Sequence, residues 1–286
     1  MTTRAIPDGG PGADLVVPAL DGTSIGVFRS GTVGQPPLVL VHGASADHTT
    51  FRVLGPVLAA EHDLFALDRR GRGASGDTSP YAIEREFEDV AAVADAVTTL
   101  TRRPSVDVFG HSYGGRCALG AALLTSSIRR VVSYEGAPTP PGERYGDRDL
   151  ADALASLATA GEHARLLERF MTDVVGMSSA DLERYRADPV WPRRVAAAPT
   201  IARELRVEGG AAAGLDRLGE VRQPVLQLLG SASVPAFASA TFALDQRLAD
   251  GRVVTIGGAR HAAHHTHPDA VADALRAFLA DPPPTV

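Results

Sequence analysis

A single cysteine, Cys117, in a chain of 286 residues rules out an intramolecular disulfide. That suits a reducing compartment and leaves stability to a packed core. No stretch approaches the roughly 20 apolar residues needed to cross a bilayer, and the opening MTTRAIPDGG lacks the apolar segment of a secretory signal. The expectation is a cytoplasmic protein with no membrane partner. Positive charge is also missing in excess: the formal net charge is −6, and the arginines are spread among acids. Polyanions need a concentrated positive surface, so no nucleic-acid partner is expected. The ends, residues 1–12 and 281–286, are rich in glycine and proline and are expected to fray.

What is present is a chain 44% hydrophobic, enough to bury a large core in one domain that carries an insertion. Short apolar runs ending in glycine or polar turns alternate with longer amphipathic stretches, the pattern of strands and crossover helices in a largely parallel sheet. PLVLVHG from Pro37, HDLFALD to Asp68, SVDVFG to Gly110, the run Arg129 to Tyr134, QPVLQLLG from Gln223 and RVVTIGG from Arg252 read as strands. ADLVVPAL and TSIGVFRS precede them as an antiparallel opening pair. Helices are expected from about His48 to Ala60, from about Ile83 to Leu100, and directly after Ser112.

Between about Ala137 and Glu220 the alternation stops. Strands vanish, and Ala, Leu, Arg and Glu recur at helical spacing through ADALASLATA, EHARLLERF and SADLERYRA. Some eighty residues without a strand read as an inserted helical cap, residues 137–220, on a core formed by residues 13–136 and 221–281. The hinges are expected at APTPPG and GGAAAG, where glycine and proline interrupt regular structure. Trp191, the one tryptophan, lies in this insert near Phe170, Met171, Met177 and Tyr185. These residues either roof an apolar substrate pocket, with Trp191 as a substrate-binding residue, or form the insert's own core.

The strongest chemical signal is Gly110-His111-Ser112-Tyr113-Gly114-Gly115, placed where a strand gives way to a helix. A sharp strand-to-helix turn lifts the serine hydroxyl above the sheet, and the flanking glycines remove Cβ atoms that would meet neighbouring backbone. The following helix aims its N-terminal amides at developing negative charge. The plainer reading is a serine N-cap at a glycine-rich turn.

Together with three other stretches, this sequence resembles the α/β-hydrolase superfamily. VHGAS from Val41 is similar to the loop after the third strand, and the resemblance implies an oxyanion hole from the backbone amides of Ala44 and Tyr113, with His42 as a structural support. LDRRGRGAS from Leu67 is similar to a structural turn after the fourth strand. GGARHAAHH from Gly257 is similar to the loop that carries the catalytic histidine. The fold implied is α/β: an α/β-hydrolase fold with a mainly parallel eight-stranded sheet and an inserted helical cap.

An alcohol needs a base to act as a nucleophile near neutral pH. His261 matches the family position, and His264 in the same crowded loop is the alternative. A solvated loop with incidental histidines and a metal site compete with both; no acidic or cysteine ligand spacing supports a metal. The acid departs from the commonest pattern, because LLGSASVP after the seventh strand offers Ser231 and Ser233 but no carboxylate. The other location known in the superfamily, after the sixth strand, holds Glu135. A Ser-His dyad or a distant acid such as Asp245 would remain if Glu135 faced solvent. Cys117 and His111 are read as packing residues.

The function expected is a serine hydrolase that cleaves a small carboxylic ester, lactone or thioester through an acyl-enzyme on Ser112, without a cofactor. A lyase, perhydrolase or acyltransferase on the same scaffold, or a ligand-binding receptor-like protein, are the alternatives. The partner expected is an apolar small molecule, and a homodimer is compatible with the sequence.

Overall fold

In the computed structural model, which describes residues 12–207 and 210–280, eight strands form one sheet in the order β1-β2-β4-β3-β5-β6-β7-β8. These are β1 (Leu15–Pro18), β2 (Ser24–Gly31), β3 (Pro37–Val41), β4 (Asp63–Leu67), β5 (Val106–His111), β6 (Ile128–Tyr134), β7 (Val225–Gly230) and β8 (Gly251–Ile256). β1 and β2 pair antiparallel, β2 meets β4 antiparallel, and every later pairing is parallel. Of the termini expected to fray, 1–12 and 281–286, all but Gly12 lie outside the described residues, as does Gly209 of the second expected hinge.

Burial on both faces explains the unbroken apolar strands. In β3, Val39 and Val41 join one core while Leu38 and Leu40 join the other, as alternation of side chains across a strand requires. The first core lies under α2 (Ile83–Thr101) and α3 (Tyr113–Ala122), and the second under α1 (Leu54–Leu58), α11 (Ala263–Thr266) and α12 (Pro268–Ala280). Helix α2 is held by Ile83, Phe87, Val90, Ala94 and Val97, all buried at three- and four-residue spacing. The helix expected from His48 to Ala60 is in fact broken. Asp47 accepts the Thr49 amide and starts a single 3-10 turn over His48–Phe51, after which α1 runs only from Leu54 to Leu58. Pro56 accounts for the break, since it has no amide to donate back to Arg52 and its ring would crowd that carbonyl.

Between β6 and β7 there are only helices among the described residues: α4 (Leu150–Thr159), α5 (His163–Asp173), α6 (Ser179–Arg186), α7 (Trp191–Ala197), α8 (Ile201–Val207) and α9 (Leu215–Leu218), with short 3-10 turns. The remaining helix, α10 (Pro235–Asp245), links β7 to β8. The insert is tied to the sheet by buried charge. Arg69 donates to Glu86 of α2 at 2.8 and 2.7 Å and to Glu204 of α8 at 2.5 Å, and Arg72 also donates to Glu204. All four side chains are buried. A charge in such a place must be paired, because its desolvation would otherwise go uncompensated. Arg193 and Arg194 of α7 hold Asp47 in the same way, at 2.6 and 2.9 Å. The turn that resembles a structural feature therefore also docks the insert.

Candidate active site

β5 ends at His111, and Ser112 turns the chain with φ 54° and ψ −127° before α3 begins at Tyr113. A non-glycine residue with that geometry is strained and must be held by its surroundings. Here the Ser112 amide donates to the Tyr134 carbonyl at 2.7 Å, and the Ser112 carbonyl accepts from Gly115 at 2.8 Å. No side chain fits at Gly110 against the Gly114–Gly115 backbone, nor at Gly114 against the Val41 and His42 carbonyls.

His261 stands in the loop between β8 and α11. Its Nε2 lies 2.9 Å from Ser112 Oγ, and its Nδ1 lies 2.5 Å from Glu135 Oε2. Glu135 is the first residue after β6, buried, with φ 48°. Its second oxygen accepts the Gly230 amide at 2.7 Å and the Ser233 hydroxyl at 2.6 Å. The carboxylate is thus fixed at one oxygen and aimed with the other. With Nδ1–H donating to Glu135, Nε2 is left to accept the Ser112 proton, the geometry a general base requires.

The histidine loop is itself anchored. Tyr134 donates its hydroxyl to the Arg260 carbonyl and accepts the Ala263 amide at 3.1 Å. His111 Nε2 donates to the His261 carbonyl at 2.7 Å, and Phe237 stacks on the His261 ring at 4.2 Å. His264 does not meet Ser112; it is buried against His111, with ring centroids 4.2 Å apart. Asp245 lies at the far end of α10 beside Gly251, where β8 starts.

Ala44 is brought close by Gly43, where an added Cβ would lie 3.0 Å from Ser112 Cβ. Ala44 and Tyr113 both line a small chamber at Ser112, and Tyr113 opens α3, where backbone amides have no partner within the helix. His42 supports this loop, donating from Nδ1 to the Gly43 carbonyl at 2.8 Å and accepting the Arg69 amide at Nε2, 3.0 Å away.

A larger cavity of about 370 Å³ opens at Ser112 and His261. Phe170, Met171, Met177 and Tyr185 of the insert roof it, but Trp191 does not. Trp191 starts α7 half-buried and packs edge-on against Tyr185 at 5.4 Å, so it backs the lining instead of forming it. Among the described residues, no group of three or more His, Cys, Asp or Glu side chains is placed to hold a metal ion, and no helix is long and apolar enough to cross a membrane. Three contributors had no local motif to reveal them: Arg52 and Arg194, which line the cavity, and Ser233. Ser233 sits in the turn that lacks a carboxylate of its own, and its role is to bond the carboxylate that follows β6.

Burial holds His42, His111 and His264 well below the ordinary imidazole range, and burial with the nearby Arg52 and Arg194 charges pushes His265 down to about 3. These rings stay neutral in the folded protein, whereas an unfolded histidine takes up a proton below about pH 6.5. The unfolded state then binds more protons, so stability falls as pH drops from about 6.5 toward the depressed folded values. The loss is on the order of 1 kcal/mol per pH unit for each histidine. Urea midpoints at pH 7 and pH 5 should differ by several kcal/mol in unfolding free energy. Equal stability at the two values would contradict neutral burial.

Eight strands in this order, crossing from antiparallel to parallel, with a strand–turn–helix elbow after the fifth and a helical insert after the sixth, are the α/β-hydrolase fold. The chain belongs to the alpha/beta hydrolase family, whose sequence model matches residues 38–274. A crystal structure of an alpha/beta hydrolase from Sphaerobacter thermophilus is similar with a TM-score of 0.78 and 32% identity, covering 93% of this chain and 100% of that one. The pimeloyl-[acyl-carrier protein] methyl ester esterase of Xanthomonas campestris pv. campestris is 28% identical over 257 residues, 86% of this chain and 95% of the relative. The 2-(acetamidomethylene)succinate hydrolase of Mesorhizobium japonicum is 26% identical over 258 residues, 86% of this chain and 89% of the relative.

Proposed function

We propose that this protein is a serine hydrolase that cleaves a small carboxylic ester, lactone or thioester through an acyl-enzyme on Ser112. The observation that carries the reading is the unbroken line from Ser112 Oγ through both nitrogens of His261 to Glu135. Ser112 Oγ attacks the carbonyl carbon while His261 Nε2 takes its proton. The amides of Ala44 and Tyr113 receive the negative charge that develops on the carbonyl oxygen. His261 then returns the proton to the leaving oxygen or sulfur, and the acyl group stays on Ser112. Water, deprotonated by the same nitrogen, attacks the acyl carbon; collapse frees the acid and restores the serine.

In this reading residues 137–220 act as a cap that selects the substrate without supplying chemistry, and Ser233 is a positioning residue for Glu135. That one family relative carries the name of a methyl ester esterase agrees with ester chemistry. The test is a fluorophosphonate probe, which phosphonylates an activated serine. Labelling of the folded protein on Ser112, mapped by peptide mass, together with hydrolysis of an ester, lactone or thioester panel, is the expected result. Folded protein that neither labels nor turns over any member of the panel would favour a ligand-binding role instead.

A further inference from the structure

The space at Ser112 is divided unequally. On one side lies the cavity of about 370 Å³, and on the other the small chamber, of about 30 Å³. Among the described residues that line them, Ala44, Ser112 and Phe170 belong to both, whereas His261 lines only the larger. Phe237, a wall of the chamber, stacks on the His261 ring with 4.2 Å between centroids and 16° between planes, and so screens the imidazole on that side.

A tetrahedral carbon bonded to Ser112 Oγ points its other three substituents in different directions. Its negative oxygen turns to the amides of Ala44 and Tyr113, and its leaving atom must face His261 Nε2 to take a proton. The leaving group therefore extends into the space that His261 lines, and the acyl carbon is left with the chamber. That chamber has room for about two water-sized groups, at roughly 10–15 Å³ each. Its walls are firmly held. Tyr145 is tied by its hydroxyl to the Ala137 carbonyl at 2.8 Å and packs on Phe237 at 4.9 Å, and Val174, Ile201 and Phe237 are buried. Forcing further methylenes into packed surroundings displaces side chains, which costs binding. The charged walls are already engaged, Arg116 by the Gly136 and Ala137 carbonyls at 3.4 and 3.0 Å and Glu204 by Arg69 and Arg72. An uncharged group is the complement.

We propose that the chamber is the acyl subsite and admits only an acetyl or propionyl group, while the larger cavity receives a bulkier leaving group. This rests on the serine-hydrolase reading above and narrows it to esters and thioesters of short, neutral acids. A lactone, whose acyl chain is tied to its leaving oxygen, cannot send its two sides into different spaces. Leu205 of α8 is a half-buried wall of the chamber, so its truncation lengthens the acyl limit with little disturbance to the core.

Two isomers, hexyl acetate and ethyl hexanoate, test it, since they differ only in which side of the ester is long. With each rate divided by that of hydrolysis by hydroxide, the wild type is expected to favour hexyl acetate by about 10- to 100-fold in kcat/KM. Leu205→Ala should bring that ratio toward one by speeding ethyl hexanoate. Met177→Ala, at a residue that lines the larger cavity alone, should leave ethyl hexanoate as slow as before. The proposal falls if the wild type treats the isomers alike or favours ethyl hexanoate, a comparison that needs no variant to fold. It falls equally if ethyl hexanoate gains no more from Leu205→Ala than from Met177→Ala. A protein that labels with fluorophosphonate but does not favour hexyl acetate overturns this inference alone. One inert to the probe and to both esters overturns the hydrolase reading beneath it.

Discussion

Replacing Ser112 with alanine is expected to lower kcat by about 10⁵- to 10⁶-fold while leaving the melting temperature within a few degrees of the wild type. The substitution removes one oxygen, whose hydrogen bond is to His261 Nε2. Everything that holds the turn stays, because the bonds to Tyr134 and Gly115 are made by the backbone of residue 112. Alanine meets the same strain at φ 54° as serine, so the elbow has no new reason to relax. Under the proposed mechanism only the amides of Ala44 and Tyr113 remain to favour the reaction, a small contribution beside a nucleophile with its base. Steady-state hydrolysis and a thermal melt check both halves. A variant within tenfold of normal rate would end the assignment of Ser112.

Glu135→Gln should cost about 10⁴-fold in kcat, and the geometry gives the reason. The Gly230 amide and the Ser233 hydroxyl both donate to Oε1, so the glutamine will keep its oxygen there. Its NH2 group then faces His261 Nδ1, the position Oε2 occupies 2.5 Å away. A donor in that place favours the tautomer with its proton on Nε2, where it meets the Ser112 hydroxyl as a donor and cannot act as base. The loss therefore combines a wrong tautomer with an unstabilised imidazolium. Rate measurements from pH 6 to pH 9 should show the deficit throughout. A near-normal rate would leave a Ser-His dyad and remove Glu135 from the mechanism.

The sequence is most legible where a single local pattern decides the outcome. The strands reveal themselves because a sheet covered on both faces demands continuous apolar runs, and Leu38 to Val41 satisfy both cores at once. The elbow reveals itself because close backbone approach tolerates only glycine at 110 and 114. Glu135 is singled out by the resemblance to the α/β-hydrolase superfamily, which implies an acid after the seventh or the sixth strand, and of these two strand ends only the sixth offers a carboxylate here. The break at Pro56 was open to the same kind of reading, since a proline three residues into a helix needs that helix to start there. The remainder depends on pairs far apart in the chain. Glu204 meets Arg69 and Arg72 across more than 130 residues, and Asp188 meets Arg52 across 136. No spacing rule encodes such partners, because they are set by how the insert lies on the core. Trp191 shows the same limit: the sequence places it in the insert but does not say whether its side chain meets the cavity or the insert's own packing.

The insert departs after β6 and rejoins at β7, and those two strands are neighbours in the sheet, with Val131 beside Val225 and Tyr134 beside Leu228. Because the two strands are parallel, the chain leaves at the end of one and must cross back to the start of the other, and the register of the strands beneath does not depend on what lies along that crossover. Closing a longer excursion at this point would cost only about 0.6 kcal/mol for each doubling of its length. The scaffold can therefore trade one insert for another through insertion, deletion or recombination within this one connection. A lineage built on it can vary what it recognises while its reacting groups stay in place, and the two properties can evolve at different speeds.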